Sequence, residues 1–258
     1  MRRVKRIDMN CFVGGWPFHR VRHDSLEKLK NLHERNQIDG GFVSSTDAIF
    51  YNDPYEADAK LARELEGFPQ YRHVITVNPA LPGCLDGVRR AAHEWPVAGV
   101  RILPGFHDYA LSSDVVGALC ALLRELRLPL FLTLRMEDER VTYMFHPKKV
   151  NEWDVAQFIG EQTGFPILVC NIRISEMKFI QEVMLGRQDV FCDCSGLKDG
   201  LFNMEALSQS GLTRRLVYGS LAPIFCLEGT RVLLEKAEIP PEEKQMIFSA
   251  QGFVDLLR

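Results

Sequence analysis

The densest set of groups able to do acid–base chemistry in this 258-residue chain is the run Arg135-Met136-Glu137-Asp138-Glu139-Arg140, followed by His146-Pro147. Carboxylates and an imidazole can serve as proton acceptor and donor when they come within hydrogen-bond reach of a bound molecule and have matched pKa values. On that basis Glu137 or Asp138 is the candidate general base, and His146 or the more distant His107 the candidate general acid. Arg135 and Arg173 are candidates for holding an anion, because the guanidinium fork matches carboxylate and phosphate geometry. Charge this dense also suits an ordinary solvated loop. Arg101 is a different case. It interrupts the apolar run Gly99-Val100-Arg101-Ile102-Leu103, where an unpaired guanidinium is costly. It therefore needs an internal carboxylate, with Asp8 and Asp193 the candidates, or an anionic ligand.

Other patterns carry less. His19 and His23 stand four apart, the spacing that puts two imidazoles on one helix face. No third ligand is near, and a catalytic site needs three protein ligands. The 7 cysteines are scattered, mostly within apolar runs, and read as reduced, buried thiols in a reducing compartment. Cys192-Asp193-Cys194 is not a C-x-x-C pair; in a strand its two sulfurs share one face and Asp193 takes the other. There is no glycine-rich phosphate loop of the Walker form and no G-x-S-x-G elbow.

These residues need a scaffold, and the rest of the chain describes one. It is 46% hydrophobic and 25% charged, with a net charge of -3 and a pI near 6.2. That provides a substantial core and no basic field for nucleic acid or anionic membrane. No apolar run approaches the ~20 residues of a membrane span. The basic start Met1-Arg2-Arg3-Val4-Lys5-Arg6 is not followed by a signal-peptide apolar segment, so a cytoplasmic location is expected.

Short apolar strands alternate with amphipathic helices. Strands are expected at 4–10, 40–44, 73–77, 99–103, 130–134, 166–171, 189–193 and 215–218. Helices are expected from Asp24, with Asp24 as cap and Glu27 in a capping box, and from Asp53-Pro54-Tyr55-Glu56, a cap with proline at the first position. Others are expected at 84–94, 114–126, 150–162, 175–185, 202–208, 224–237 and 241–248. About eight strand–helix units are the period of a (β/α)₈ TIM barrel, with strands buried on both faces. A doubly wound sheet would alternate too, but no G-x-G-x-x-G follows the first strand. One α/β domain over residues 1–258 is the simpler organisation.

Several segments, in order along nearly the whole chain, resemble the amidohydrolase-related family of metal-dependent hydrolases. Ile7-Asp8-Met9-Asn10-Cys11-Phe12-Val13-Gly14 has the frame of I-D-x-H-x-H-x-G with both histidines missing. Gly99-Val100-Arg101-Ile102-Leu103-Pro104 is similar to the fourth-strand motif, with Tyr109 as the aromatic that follows. Leu128 to Thr133, Ile167 to Asn171 and Val190 to Gly196 resemble the next three strands. Tyr218-Gly219-Ser220-Leu221-Ala222-Pro223 resembles F-G-[ST]-D-x-P. The resemblance implies an amidohydrolase-like barrel whose usual metal-ligand positions hold Asn10, Phe12, Thr133, Asn171 and Leu221. Phe12 and Leu221 cannot donate, and neutral amide or hydroxyl oxygens suit zinc or iron poorly. No cofactor is therefore expected, and the family's metal-hydroxide mechanism is lost with the ion.

Sites in such barrels form at the C-terminal ends of the strands. The expected substrate-binding set is Asn10, Arg101, Tyr109, Arg135, Asn171, Arg173 and Asp193, with Asp8, Arg140 and Ser220 also expected there. Three readings stand. The first is a metal-independent hydrolase or lyase acting on a small anionic substrate of carboxylate or sugar-acid type. The second is a non-catalytic barrel that binds a ligand or partner. The third is a hydrolase with a metal relocated to His107, His146, Glu137 and Asp193. A soft metal site from Cys170, Cys192 and Cys194 is disfavoured, because Cys170 alternates with Asn171 and should face the helices if Asn171 faces the lumen. Partners are expected to be a small-molecule anion, with neither nucleic acid nor membrane, and a homo-oligomer is compatible with the sequence. Trp16-Pro17-Phe18 is expected to be an interface loop or a lid over the barrel mouth.

Overall fold

The computed structural model describes residues 4–138, 140–141, 145–198 and 203–257; Met1, Arg2, Arg3 and Glu139, named above, lie outside them, as does the first residue of the helix expected at 202–208. Eight parallel strands follow one another in sequence order: β1 (Ile7–Val13), β2 (Gly40–Ser45), β3 (Tyr71–Thr76), β4 (Val97–Ile102), β5 (Leu130–Thr133), β6 (Ile167–Cys170), β7 (Val190–Asp193) and β8 (Leu216–Val217). The chain segment after β8 returns to β1 through Met9 N–H to Tyr218 O (2.9 Å), Leu221 N–H to Asn10 O (2.7 Å) and Phe12 N–H to Ala222 O (2.7 Å). These bonds bring the last strand back to the first and nearly close a (β/α)₈ barrel. Every residue of β2 and of β5 to β8 is buried, as expected for parallel strands packed on both faces.

Strand residues divide between two apolar environments. Met9, Phe42, Val74, Phe131, Leu168, Cys170, Phe191 and Val217 form the inner core, which Phe253 from the short C-terminal helix Gln251–Val254 joins from below. Their alternates, such as Ile75, Val100, Leu132, Val169 and Cys192, pack against the surrounding helices. Cys192 and Cys194 both lie in that outer layer while Asp193 turns inward, as the alternation requires. Cys170, in contrast, faces the lumen. The expectation that it faces the helices fails because Asn171 has left the strand: its φ of 55° turns the backbone left-handed and breaks the alternation. All seven cysteines are free thiols.

The first helix is Leu26–Arg35, and it buries Leu26, Leu29, Leu32 and His33. Its cap is Ser25, which accepts from Lys28 N, rather than Asp24, whose carboxylate instead takes the Lys28 ammonium at 2.6 Å. The expected capping box is therefore absent. Asp53 caps helix Pro54–Leu65 as expected, accepting from Tyr55 N at 3.1 Å. β1 runs three residues further than expected, so that Asn10, Cys11 and Phe12 are all strand residues. Short helices at Asp47–Phe50 and Pro104–His107 were not visible in the pattern. Among the described residues, no helix is long and apolar enough to cross a membrane.

Phe253 is fully buried and meets Phe131 and Phe191 edge-on at centroid distances of 6.0 and 5.6 Å. Truncation leaves a cavity that the barrel strands cannot collapse to fill. Phe253→Ala is expected to lower stability by about 3–5 kcal/mol in chemical denaturation; a loss under about 1 kcal/mol would show that this ring does not plug the barrel.

Candidate functional site

A bulge decides what β1 presents to each side. Its pairing with β2 shifts register between Asp8 and Cys11. As a result Met9, Asn10 and Phe12 reach the lumen while Asp8 and Cys11 face the helix Leu26–Arg35. An extra residue of this kind changes which side chains share a face.

Arg101 of β4 occupies the middle of the lumen and is fully buried. Its Nε donates to Ser44 Oγ (2.9 Å) and its Nη1 to Thr133 Oγ1 (2.6 Å). The guanidinium carbon lies 4.4 Å from the Phe12 ring centroid and 5.4 Å from that of Phe131, close enough for cation–π attraction. Neither expected carboxylate pairs with it. Asp8 is on the other side of β1. Asp193 instead accepts from Asn10 Nδ2 (2.5 Å), Asn171 N (2.8 Å) and the Ser195 hydroxyl and amide (2.9 and 3.2 Å). Burial pushes the Arg101 pKa down, with Cys170 and Asp193 nearby opposing it. Burial pushes Asp193 up against its hydrogen bonds. Arg101 Nη2, Asn10 Oδ1 and Thr76 Oγ1 are left buried without partners, which is costly in a low-dielectric interior.

Above this layer the lumen is apolar. Phe12, Trp16, Val21, Ile49, Leu103, Met136 and Leu221 pack as one cluster. Trp16 is buried beneath Phe18, Phe50 and Phe106, at centroid distances of 5.7, 5.4 and 6.0 Å, and Phe145 stacks on Phe18 at 6.1 Å. Trp16-Pro17-Phe18 is thus part of a lid on the mouth.

The charged groups of the β5 loop lie at the rim of that lid. A small cavity of about 110 Å³ is lined by Arg135, Glu137, Asp138, Phe145, His146 and Lys148, among others. Arg135 forms a two-pronged ion pair with Glu176 (2.5 and 2.9 Å) and donates to Asn171 O at 2.6 Å, while Asn171 Nδ2 donates to Arg135 O at 2.9 Å. Glu176 also accepts from Arg173 N at 2.9 Å. Arg135 is therefore neutralised within the protein, and a substrate anion would have to displace Glu176. Glu137 meets His19 at 3.3 Å. Asp138 is chelated by Arg140, whose hydrogen bond holds its carboxyl well below the usual range.

The structure gathers the predicted residues in two tiers. Asn10 and Asp193 are hydrogen-bonded in the sealed lumen that Arg101 shares; Arg135, Glu137, Asp138 and His146 line the rim cavity, with Asn171 joining the tiers. His107 and Tyr109 belong to neither. His107 Nε2 is 2.8 Å from Ile49 O, and the Tyr109 hydroxyl is buried without a partner, with a pKa raised by desolvation. His19 and His23 precede the first helix and share no helix face. Lys198, just beyond β7, was not singled out by the sequence: its ammonium lies 4.7 Å from the Phe225 ring centroid and burial lowers its pKa. Glu176 was also missed, because only the fold brings the β5 and β6 loops together.

Among solved structures, the chain resembles a 5-carboxyvanillate decarboxylase of Sphingomonas paucimobilis (12% identity, TM-score 0.75, 99% of both chains). It also resembles a dihydroxybenzoic acid decarboxylase of a Polaromonas species with bound manganese (12% identity, TM-score 0.76, 98% of both chains). A third is an uncharacterised TIM-barrel protein of Bordetella bronchiseptica (12% identity, TM-score 0.75, 98% of this chain and 99% of that one). The fold is that of the amidohydrolase-like barrels. No family model and no curated protein matches the chain.

The sequence resemblance implies a lumenal metal, and the residues at the positions it assigns do not fit one. Phe12 and Leu221 offer no donor atom. Thr133 Oγ1 is engaged by Arg101, whose own positive charge would repel a divalent ion. The relocated set fares no better: His107 is turned to Ile49 O, Glu137 to His19, and Asp193 lies in the lumen. Among the described residues, three metal-competent donors come together at Asp8, Cys11 and His33.

Asp193 keeps four donors without Arg101, so removing the guanidinium strands no carboxylate. Arg101→Met is expected to stay folded and to gain about 1–2 kcal/mol in denaturant unfolding, since well-packed apolar replacements of buried charges are often neutral or stabilising. A loss above about 3 kcal/mol would show that the guanidinium is a net stabiliser of the fold.

Proposed function

We propose that this barrel acts on a small carboxylate at its C-terminal mouth, as a hydrolase or lyase that uses side-chain acid–base chemistry and no metal in the lumen. The observation that carries the reading is the Arg101 guanidinium. It is buried, has no ion-pair partner among the described residues, and leaves its Nη2 amino group without a hydrogen-bond partner, among the positions that the resemblance assigns to metal ligands. A fixed cation there supplies the positive potential that favours an anion at the mouth, and low dielectric strengthens it. Two decarboxylases among the similar structures are named for aromatic carboxylates, which supports a carboxylate as the ligand class.

In this reading Glu137 is the general base and His146 the general acid, across the cavity that both line. His19 orients the Glu137 carboxylate. Lys148 and Lys149, in the same lining, are paired with Asp108 and Glu152 at 2.5 and 3.6 Å and would turn from them to a carboxylate ligand. Asn10, Asn171 and Asp193 form a hydrogen-bonded polar floor that fixes the β6 turn. A second reading, a barrel that binds a carboxylate without turnover, is favoured by the closure of the lumen: Asn10, Arg101 and Asp193 are all 0% exposed beneath the aromatic lid.

A panel of aromatic and aliphatic carboxylates, followed by thermal shift and product analysis, tests both. Turnover of a stabilising carboxylate should fall about 10²–10⁴-fold in Glu137→Gln or His146→Asn, the range for removing a general acid or base, with less effect on KM. Turnover unchanged in both variants would sink the acid–base assignment. A thermal shift without turnover, lost in Arg101→Met, selects the binding reading.

A further inference from the structure

We propose that the outer face of β1 carries a second kind of site, a buried three-ligand binding site for a zinc-class divalent ion formed by Asp8, Cys11 and His33, its fourth position left to a water. It does not rest on the functional reading above, because these residues lie on the helix side of the strand.

Three observations converge on it. The first is placement. In a regular strand Asp8 and Cys11 would face opposite sides; the bulge between them turns both outward, toward His33 on the inner face of helix Leu26–Arg35. One ligand atom from each residue falls within 4.8 Å of the others. His33 Nε2 and Asp8 Oδ2 are 3.3 Å apart, which matches the edge of about 3.3 Å for a tetrahedron with zinc–ligand bonds of ~2.0–2.1 Å.

The second is charge. All three side chains are buried. A thiolate, a carboxylate and a neutral imidazole cancel a divalent cation, so the loaded cluster is electrically neutral and tolerates burial far better than any of its ions alone. One sulfur, one nitrogen and one oxygen select zinc or cobalt over magnesium or calcium, which require oxygen ligands.

The third is the supporting layer. Tyr71 Oη is 3.0 Å from His33 Nδ1 and can accept its proton, leaving Nε2 free for the ion. The Ser220 hydroxyl and the Ser220 and Asn10 amides fix the Asp8 carboxylate, the two amides at 3.0 and 3.1 Å. Metal sites depend on such partners for ligand orientation. A surface cavity of about 440 Å³, lined by His33, Tyr71, Glu34 and Asp39 among others, gives an ion an approach from the N-terminal end of the barrel.

The test is Co²⁺ titration of full-length, chelator-treated protein, followed by Zn²⁺ competition. One equivalent should bind with a sulfur-to-cobalt charge-transfer band in the near ultraviolet and tetrahedral bands in the visible. Zn²⁺ should displace it. Cys11→Ala should abolish the charge-transfer band, and Tyr71→Phe should weaken uptake by about 10–100-fold, the range for loss of such a supporting partner. If Cys11→Ala does not fold, a Cys84→Ala/Cys226→Ala variant decides: the thiolate band should persist without the two accessible thiols, and its loss overturns the proposal. Folded wild-type protein that takes up no Co²⁺ or Zn²⁺ overturns the proposal and leaves a hydrogen-bonded Asp–His–Tyr chain. So does uptake that shows no thiolate band or survives Cys11→Ala unchanged.

Discussion

A guanidinium held in the middle of an eight-stranded barrel, with no carboxylate among the described residues in ion-pairing distance, constrains everything packed around it. Among the described residues, Arg101 is held by two hydroxyls, by the faces of Phe12 and Phe131 and by the neighbouring Cys170 thiol. That arrangement depends on smaller features. Gly99, one turn of the pleat below, leaves room for Phe131: a Cβ there would sit 2.5 Å from Phe131 Cε2. Ser44 accepts from Arg101 while its own hydroxyl donates to Val74 O at 2.7 Å. Asp193 contributes through space rather than by contact, and its hydrogen bonds to Asn10, Asn171 and Ser195 let it stay in place unpaired. The lumen is a low-dielectric region holding one cation and one carboxylate at a distance, and its electrostatics follow from those two groups.

Two backbone irregularities stand at positions that the resemblance assigns to metal ligands. Asn171 and Leu221, at two of the positions that the resemblance assigns to metal ligands, both adopt left-handed conformations, with φ of 55° and 57°. Asparagine tolerates this region by local hydrogen bonding; leucine does not, at a cost of roughly 1–2 kcal/mol. Leu221 is held there by its N–H bond to Asn10 O, by the Phe225 N–H on its carbonyl and by burial against Phe12. Strain of this sort persists where the surroundings over-determine the backbone. The same turn that would aim a ligand into the lumen now aims an apolar side chain into the seal beneath the lid.

The two sides of β1 show how one irregularity separates two chemistries. Inward, Asn10 and Phe12 floor and wall the lumen. Outward, Asp8 and Cys11 join His33 and Tyr71 in a compact polar cluster within an otherwise apolar layer of Val43, Leu29 and Leu32. Gly219 lets the β8 end approach closely, since a Cβ there would lie 2.6 Å from Asp193 Oδ2 and 3.0 Å from Asn10 Cβ. Ser220, its neighbour, then reaches Asp8. Strand closure, lumen and outer cluster thus share three consecutive residues of the β8 turn.

The sequence by itself determined the barrel, because apolar strands and amphipathic helices alternate with the period that eight parallel strands impose. It also determined that the usual ligand set is gone, since Phe12 and Leu221 lack donor atoms in any conformation. It placed Arg101 in an apolar strand and so required a special environment for it. What it could not determine was which groups provide that environment. Asp8 and Asp193 were equal candidates on paper; a one-residue bulge sends Asp8 outside, and competing amides occupy Asp193. Nor could it place Cys170, whose facing depends on where the strand ends, or pair Arg135 with Glu176 across two loops. Those outcomes rest on backbone register and on contacts between residues far apart in the chain, and only the tertiary structure decides them.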